Sequence, residues 1–254
     1  MARLPHPPKF YQALQQAEQR YATGLYIAPG KKLLQEALRS LPEEAFHAIL
    51  YAEGAVERSW PPTLEAKAFS VPAWQLARIA GLESPEGVVV VLQLPTPVAL
   101  VPPFPPAVLA EGLQDPGNVG TLLRTMEWFG FSQLWLSEGS VDPYHPRVVR
   151  ASMGSVFRVR AQKVAHWESL LPAYEGRCVV ADLEGEPADT FDWHRYDALY
   201  LGSEARGPRQ APQHWPRVRV PSAPTSRADS LNVTIAAAIL LYLAAHAKAD
   251  TRRT

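Results

Sequence analysis

The segment Asp115-Pro-Gly-Asn-Val-Gly-Thr-Leu-Leu-Arg124 marks a change from strand to helix in the C-terminal half of the chain. An apolar run precedes it, and Pro and Gly supply the turn. Leu122, Met126 and Phe129 then recur at helical spacing. Arg124 lies about 160–180° from this stripe at 100° per residue, so we expect it to face away from the core.

Two further polar segments follow farther along the chain. In Gly202-Ser-Glu-Ala-Arg-Gly207, the glycines permit close backbone approach and Glu204 places a carboxylate at the centre of the loop. Ser230-Leu-Asn-Val233 opens a long apolar stretch, where we expect Ser230 to cap a helix and Asn232 to lie in its first turn. Each segment alone also fits an ordinary turn or cap. Strand ends and helix starts are nevertheless where α/β sheets hold ligands.

The composition is that of a globular protein without a global charge. The chain has 254 residues, of which 47% are hydrophobic, with 25 basic and 25 acidic side chains. Any nucleic-acid site must therefore be local.

The single cysteine, Cys178, fits a buried strand and a reducing compartment, so we expect a cytoplasmic protein. Pro5 to Pro8 stand where a signal peptide would need an apolar run, so we expect no export.

A proline-rich stretch over residues 95–106 divides the chain, because proline disfavours both helix and central strand. Before it we expect a small α/β domain over 1–94, with helices over Phe10–Tyr21, Lys31–Ser40 and Ala73–Ile79 and strands over Phe46–Tyr51, Ala66–Val71 and Val88–Leu94. After it, expected strands over Val108–Leu113, Gln133–Ser137, Cys178–Asp182 and Ala198–Leu201 alternate with helices. Such alternation predicts an α/β domain over 107–254 with a mainly parallel sheet.

The stretch from Leu231 to Ala247 is almost entirely apolar and could be taken for a membrane span. It is marginally short for that role and opens with Asn232 and Thr234. A helix that is apolar all round is otherwise buried on all sides. We therefore expect no membrane partner, and a helix with one face on the sheet and the other on a second subunit.

Other enzyme classes find little support. A Rossmann phosphate loop requires Gly-x-Gly-x-x-Gly, whereas Gly117 and Gly120 are three residues apart, and no Gly-x-Ser-x-Gly elbow occurs. The seven histidines lack metal-ligand spacing, so we expect no metal.

Residues 147–163 contain five basic and no acidic residues, and residues 205–219 contain four arginines and no acidic residue. These runs suit RNA phosphates, although scattered solubilising charge also explains Arg158 and Arg160.

Taken in order, the three segments resemble the motifs of the SpoU (TrmH) family of RNA ribose 2′-O-methyltransferases, in the SPOUT class. The likeness extends to Val141-Asp-Pro-Tyr-His-Pro-Arg147-Val-Val-Arg150-Ala-Ser-Met-Gly-Ser155 and covers about residues 107 to 247. The N-terminal domain is similar to that family's small RNA-binding domain. The stretch after Pro221 departs from the family pattern, since it is longer and lacks glycine.

The resemblance implies a C-terminal trefoil knot, a rare exception to unknotted folds, S-adenosyl-L-methionine as the cofactor, an RNA substrate and a homodimer through the knotted domain. The implied catalytic residues are Arg124, Asn118, Glu204, Ser230 and Asn232; the implied cofactor-binding residues are Gly202, Val220, Leu231 and Asn232; and the expected RNA-binding residues are Arg147, Arg150 and Arg206. The extra N-terminal domain favours ribosomal over transfer RNA. A knotted RNA-binding protein without catalysis is the alternative.

The family resemblance often implies that the arginine at the position of Arg124 acts as a base. A guanidinium stays protonated, with a pKa above 12. We therefore favour Arg124 as a phosphate clamp that also stabilises developing negative charge on the ribose oxygen, while the proton leaves to phosphate or water.

Overall fold

The protein is described by a computed structural model that covers residues 4–54, 60–83, 86–97 and 104–250, with side chains to residue 247. Residues 98–103 of the expected linker lie outside this range. The chain forms two compact units. The first comprises Met1–Thr96 with Tyr144–Arg158, and the second comprises Pro97–Pro143 with Val159–Thr254.

The helices and strands follow one another along both units. The helices are α1 (Pro8–Ala13), α2 (Ala17–Thr23), α3 (Lys31–Ser40), α4 (Ala73–Ala80), α5 (Pro116–Trp128), α6 (Pro146–Ala151), α7 (Trp167–Leu170) and α8 (Val233–Asp250). The strands are β1 (Leu25–Pro29), β2 (Phe46–Ala52), β3 (Ala68–Val71), β4 (Val88–Gln93), β5 (Ala107–Ala110), β6 (Gln133–Ser137), β7 (Arg160–Val164), β8 (Cys178–Pro187), β9 (Ala198–Leu201) and β10 (Arg217–Arg219).

The first unit is built on a four-stranded sheet in the order β1-β4-β2-β3. Strand β4 is antiparallel to both neighbours, and β2 runs parallel to β3. The single helix expected over Phe10–Tyr21 is wrong, because two helices, α1 and α2, occupy this stretch. The buried Arg20 explains the break: its Nη1 donates to the carbonyls of Leu14 and Gln15, both at 2.8 Å, and so satisfies groups that a continuous helix would bond itself.

Residues 144–158 belong to the first unit although they follow α5 and β6 in the chain. Val148 and Val149 on α6 are buried there. At the end of the segment, Arg158 Nη1 donates to Glu36 Oε2 at 3.0 Å. Gly154 has φ +100°, and a Cβ at this position would come 2.7 Å from Glu36 Cβ. This return to the first unit differs from the expected boundaries, which placed the whole segment in the C-terminal domain.

The second unit contains a six-stranded sheet in the order β10-β8-β9-β5-β6-β7, with every pairing parallel. The predicted parallel α/β architecture is thus confirmed. All residues of β5, β6 and β9 are buried, as is typical of strands covered on both faces. Because β5 and β9 are parallel neighbours, the segments that follow them, leading to α5 and to Gly202, leave from the same edge of the sheet.

Helix α8 packs against α5 and is apolar around most of its circumference. One side is buried, through Ala237, Leu240, Leu241 and Ala244. Another side leaves Ile235, Ile239 and Tyr242 exposed. Within the described residues, neither α8 nor any other helix combines the length and apolar character that crossing a membrane requires.

Candidate functional site

The first motif forms the start of α5. Asp115 is the N-cap, and its Oδ1 accepts a hydrogen bond from the backbone N–H of Asn118 at 2.8 Å. Pro116 occupies the first helical position, where the missing amide costs nothing. This cap fixes Asn118 in the first turn, where its side-chain Nδ2 donates to Glu204 Oε1 at 2.5 Å.

The second motif is a closed loop directly after β9. Ser203 and Gly207 form an antiparallel bridge, with Gly207 N–H donating to the Ser203 carbonyl at 2.9 Å. A Cβ at Gly202 would collide with the backbone of Gly207 and Pro208, so only glycine permits this closure. The loop leaves Glu204 exposed.

The third motif begins α8, and the helix cap differs from the expected one. Asn232 lies immediately before the first helical residue, and its Oδ1 accepts from Thr234 N at 2.9 Å and from Thr234 Oγ1 at 2.6 Å. The prediction that Ser230 caps this helix is therefore wrong. Ser230 lies two residues too early, in exposed non-helical chain. Asn232 Nδ2 remains available to donate to Asn118 Oδ1 at 3.3 Å.

These contacts join three distant parts of the chain in one polar network, Asn232 to Asn118 to Glu204. The two bonds span 114 and 86 residues of sequence. The side-chain carbonyl of Asn118 accepts from Asn232, and its amide nitrogen donates to Glu204. Both ends of the side-chain amide are therefore fixed. The three motifs that sequence analysis singled out thus meet at one place in the second unit.

Arg124 is exposed on α5, as its helical phase predicts, while Leu122 and Met126 are buried. Among the described residues it forms no hydrogen bond or ion pair, so its fork of donors is available to an anion. Of the other expected contacts, Val220 is half-buried, whereas Leu231 next to Asn232 is 48% exposed.

The basic runs are less uniform than their sequence suggests. Arg206 is exposed in the closed loop of the second unit, and Arg147 and Arg150 are exposed on α6 of the first unit. Other members of these runs bond to the protein itself: Arg158 pairs with Glu36, and Arg217 with Asp182. Their charge is used internally, so counting basic residues overestimates the surface open to phosphate.

Sequence reasoning missed Glu111, a carboxylate that directly follows β5 and is only 8% exposed. The available signal was a charged residue within the otherwise apolar run Val108–Leu113. Buried carboxylates need hydrogen-bond partners. Within the described ranges, no cluster of three or more His, Cys, Asp or Glu side chains is arranged to hold a metal ion.

Comparison with known proteins points to one family. Residues 105–242 match the model of the SpoU rRNA methylase family. An uncharacterized tRNA/rRNA methyltransferase of Synechocystis is 30% identical over 90% of this chain and 86% of its own length. The 23S rRNA (guanosine(2553)-2′-O)-methyltransferase RlmP of Bacillus subtilis is 26% identical over 92% of this chain and 94% of its own.

A solved structure covers nearly the whole chain. The AdoMet-bound rRNA methyltransferase of Sinorhizobium meliloti is 27% identical, covers 97% of each chain and has a TM-score of 0.79. Together with the family match over more than half of the sequence and the convergence of all three motifs in one network, this likeness leads to one assignment. The chain belongs to the SpoU rRNA methylase family.

Proposed function

We propose that the protein transfers a methyl group from S-adenosyl-L-methionine to the 2′-hydroxyl of a ribose in structured RNA, with ribosomal RNA as the substrate. The observation that carries the proposal is the network Asn232–Asn118–Glu204, because it brings the three family motifs together. The printed activity of RlmP, a 2′-O-methyltransferase of 23S rRNA, supports the ribose and ribosomal parts.

The residues present suit the cofactor. The loop closes on itself because Gly202 has no side chain, whereas the space beside Gly207 at its other end is empty, which leaves the backbone there open to a ligand. Leu231 offers an exposed apolar surface beside the polar Asn232, a combination that suits the apolar faces and polar edges of an adenosine. We propose Gly202, Val220, Leu231 and Asn232 as the binding residues. When bound, S-adenosyl-L-methionine supplies an electrophilic methyl group on a positively charged sulfur.

The protein side chains position and stabilise the ribose. Arg124 clamps an RNA phosphate and stabilises the negative charge that develops on the 2′-oxygen, and the proton leaves to phosphate or water. Asn118, Glu204 and Asn232 hold the polar floor of the site in one arrangement, and Ser230 adds a hydroxyl close to Asn232 in the chain. Such orientation of reactants contributes roughly 7–11 kcal/mol in favourable cases.

The remaining organisation follows from the same family assignment. We propose that residues 1–94 form an RNA-binding domain together with the segment Tyr144–Arg158, which carries Arg147 and Arg150. We propose that Arg206 of the second unit also binds RNA and that the C-terminal domain of residues 107–254 contains a trefoil knot. We further propose a homodimer through the exposed side of α8, where Ile235, Ile239 and Tyr242 recur on one face. The one cysteine, Cys178, is buried as a free thiol, which is in keeping with a cytoplasmic location.

The experiment uses the chemistry of the 2′-position. The purified protein is incubated with ribosomal RNA, or with transfer RNA in a parallel arm, and methyl-labelled S-adenosyl-L-methionine, and the RNA is then digested with alkali. A ribose 2′-O-methyl blocks cleavage at that nucleotide, so label is expected in dinucleotides from the ribosomal arm. Label in mononucleotides would indicate base methylation and overturn the proposal. RNA binding without any label would favour the non-catalytic alternative.

A further inference from the structure

Glu111 stands out because a buried carboxylate bridges the sheet and the closed loop. Its Oε2 accepts a hydrogen bond from the Tyr200 hydroxyl at 2.7 Å and another from the Gln210 backbone N–H at 3.0 Å. Tyr200 lies in β9, whereas Gln210 lies three residues beyond the Gly202–Gly207 loop. One oxygen atom therefore connects the end of β5 to both sides of this loop.

The connection continues into the core of the second unit. Trp167 Nε1 donates to the Tyr200 hydroxyl at 3.0 Å, and the two rings meet edge to face at 6.0 Å. Tyr200 is fully buried. Burial, together with the hydrogen bond to Glu111, raises the pKa of Tyr200 well above its usual value. The phenol therefore stays protonated and acts as a donor to the carboxylate.

A purely structural role does not require this arrangement. Burying a carboxylate is unfavourable unless hydrogen bonds compensate, and an apolar side chain would fill the space at lower cost. Only an acceptor, however, can hold the Gln210 amide. The feature that distinguishes Glu111 from an apolar residue is thus its attachment of residues 203–210 to the sheet.

We propose that Glu111 is a positioning residue, oriented by Tyr200 and Trp167. It holds the 202–210 loop, meaning the Gly202–Gly207 loop with the three residues after it, in the conformation that accepts the cofactor. The proposal rests on the proposed function in so far as the loop binds S-adenosyl-L-methionine. Glu111 accepts a hydrogen bond from the backbone N–H of Gln210, at the end of the 202–210 loop, and therefore acts on the cofactor through this loop. Its loss is expected to weaken cofactor binding more than it slows methyl transfer at saturating cofactor.

The chain offers a matched pair of substitutions for the test. Tyr200→Phe removes the hydroxyl that orients Glu111. Tyr174→Phe removes the hydroxyl of a second buried pair in the same core, in which Trp135 Nε1 donates to Tyr174 at 2.6 Å. In the part of the chain that the structure describes, this second pair makes no hydrogen bond to the loop. Both variants lose one buried Trp–Tyr hydrogen bond, and Tyr200→Phe loses the bond to Glu111 in addition. Tyr174→Phe therefore controls for the loss of a buried Trp–Tyr pair as such.

Two measurements are compared in the full-length protein. Hydrogen exchange over residues 203–210 without cofactor is expected to accelerate about five- to tenfold in Tyr200→Phe and to stay unchanged in Tyr174→Phe. The Kd for S-adenosyl-L-methionine is expected to rise by a similar factor in Tyr200→Phe alone. Glu111→Gln, which retains a neutral acceptor, is expected to protect the loop better than Glu111→Leu.

The outcomes separate this proposal from the proposed function. Equal exchange and equal Kd in the two tyrosine variants would overturn the positioning role even if the wild type binds the cofactor. Faster loop exchange in Tyr200→Phe alone, with no cofactor binding by the wild type, would support the attachment by Glu111 and overturn the cofactor assignment.

Discussion

Asn118 donates a side-chain hydrogen bond to Glu204 across 86 residues of chain, with 2.5 Å between Nδ2 and Oε1. Aspartate at position 118 could not form this bond, because its side chain has no N–H to donate. In Asn118→Asp, two carboxylates would stand within hydrogen-bond distance and repel each other. We expect methyl transfer to fall by at least about 100-fold, in line with the loss of one positioned polar group.

A double-mutant cycle checks this relationship. Adding Glu204→Gln to Asn118→Asp removes the repulsion and restores a donor, so the double variant is expected to be more active than Asn118→Asp alone. The coupling should amount to about 1–3 kcal/mol when the ratios of kcat/KM are compared. Additive losses would show that the two side chains act independently.

Arg124 tests the proposed phosphate clamp. Because it is exposed and unpaired among the described residues, Arg124→Ala should leave the melting temperature unchanged and lower kcat by at least about 100-fold. Arg124→Lys should restore only part of the activity, since an ammonium lacks the bidentate fork. The matched control is Arg195→Ala, an exposed arginine outside the motifs. Near-full turnover by the lysine variant would rule out a need for the fork.

Asn232 has two roles that substitution can separate. Asn232→Ala removes the cap of α8 and is expected to cost about 1 kcal/mol of unfolding free energy. Asn232→Asp keeps an acceptor for Thr234 N but loses the Nδ2 donor to Asn118. Stability should therefore survive in the Asp variant while activity falls. Ser230→Ala should leave the free energy of unfolding unchanged; a loss like that of Asn232→Ala would mean that Ser230 is the cap after all.

Glu36 gives the first unit a dependence on pH. The hydrogen bond from Lys32, and after it the one from Arg158, lowers the pKa of this carboxyl despite its burial. Because the folded pKa is depressed, the stabilisation is fully present above the unfolded value of about 4.3 and disappears as the pH falls through the lower folded value. Glu36→Gln should lose about 1–2 kcal/mol at pH 7.

Thermal unfolding from pH 7 to pH 3 measures this effect. The difference between the wild type and Glu36→Gln should shrink as the pH drops below about 4. Glu168→Gln, a change at an exposed carboxylate of the second unit, serves as the control. A difference between wild type and Glu36→Gln that stays constant over this range would exclude the charged pairing as its source.

The proposed dimer is tested by charge on α8. Ile235→Glu with Ile239→Glu introduces two carboxylates on its exposed side and is expected to reduce the mass in solution to the 28.0 kDa of one chain. Light scattering after size exclusion measures that mass. Leu183→Glu, at an exposed apolar residue of β8, should leave the mass unchanged. A single-chain mass for the wild type would contradict the dimer.

Strong local patterns were sufficient to predict much of the fold. The helix over Lys31–Ser40 and the strands over Gln133–Ser137 and Ala198–Leu201 have the predicted bounds, because helical spacing and continuous apolar runs are unambiguous there. Strand β10, at three residues, is too short to produce such a pattern. The break between α1 and α2 depends on Arg20, whose burial no local periodicity reveals.

The contacts within the candidate site could not be predicted from the sequence, and the roles of its residues stay predictions. Order along the chain identified Asn118, Glu204 and Asn232, but the hydrogen bonds among them depend on how parallel strands bring their ends together. Glu111 escaped notice for the same reason. Its partners Tyr200 and Gln210 lie 89 and 99 residues away, so only the folded chain shows what satisfies its carboxylate.

The pairing of Glu36 with Arg158 also affects how the protein can be made. The two residues are 122 positions apart, and the chain between them includes the first part of the second unit, Pro97–Pro143. During synthesis from the N-terminus at about 5–20 residues per second, roughly 6–24 s pass between the translation of Glu36 and that of Arg158. A nascent chain halted before residue 144 would present Glu36 to solvent without Arg158. The first unit is therefore completed late in translation, although its sheet is encoded first.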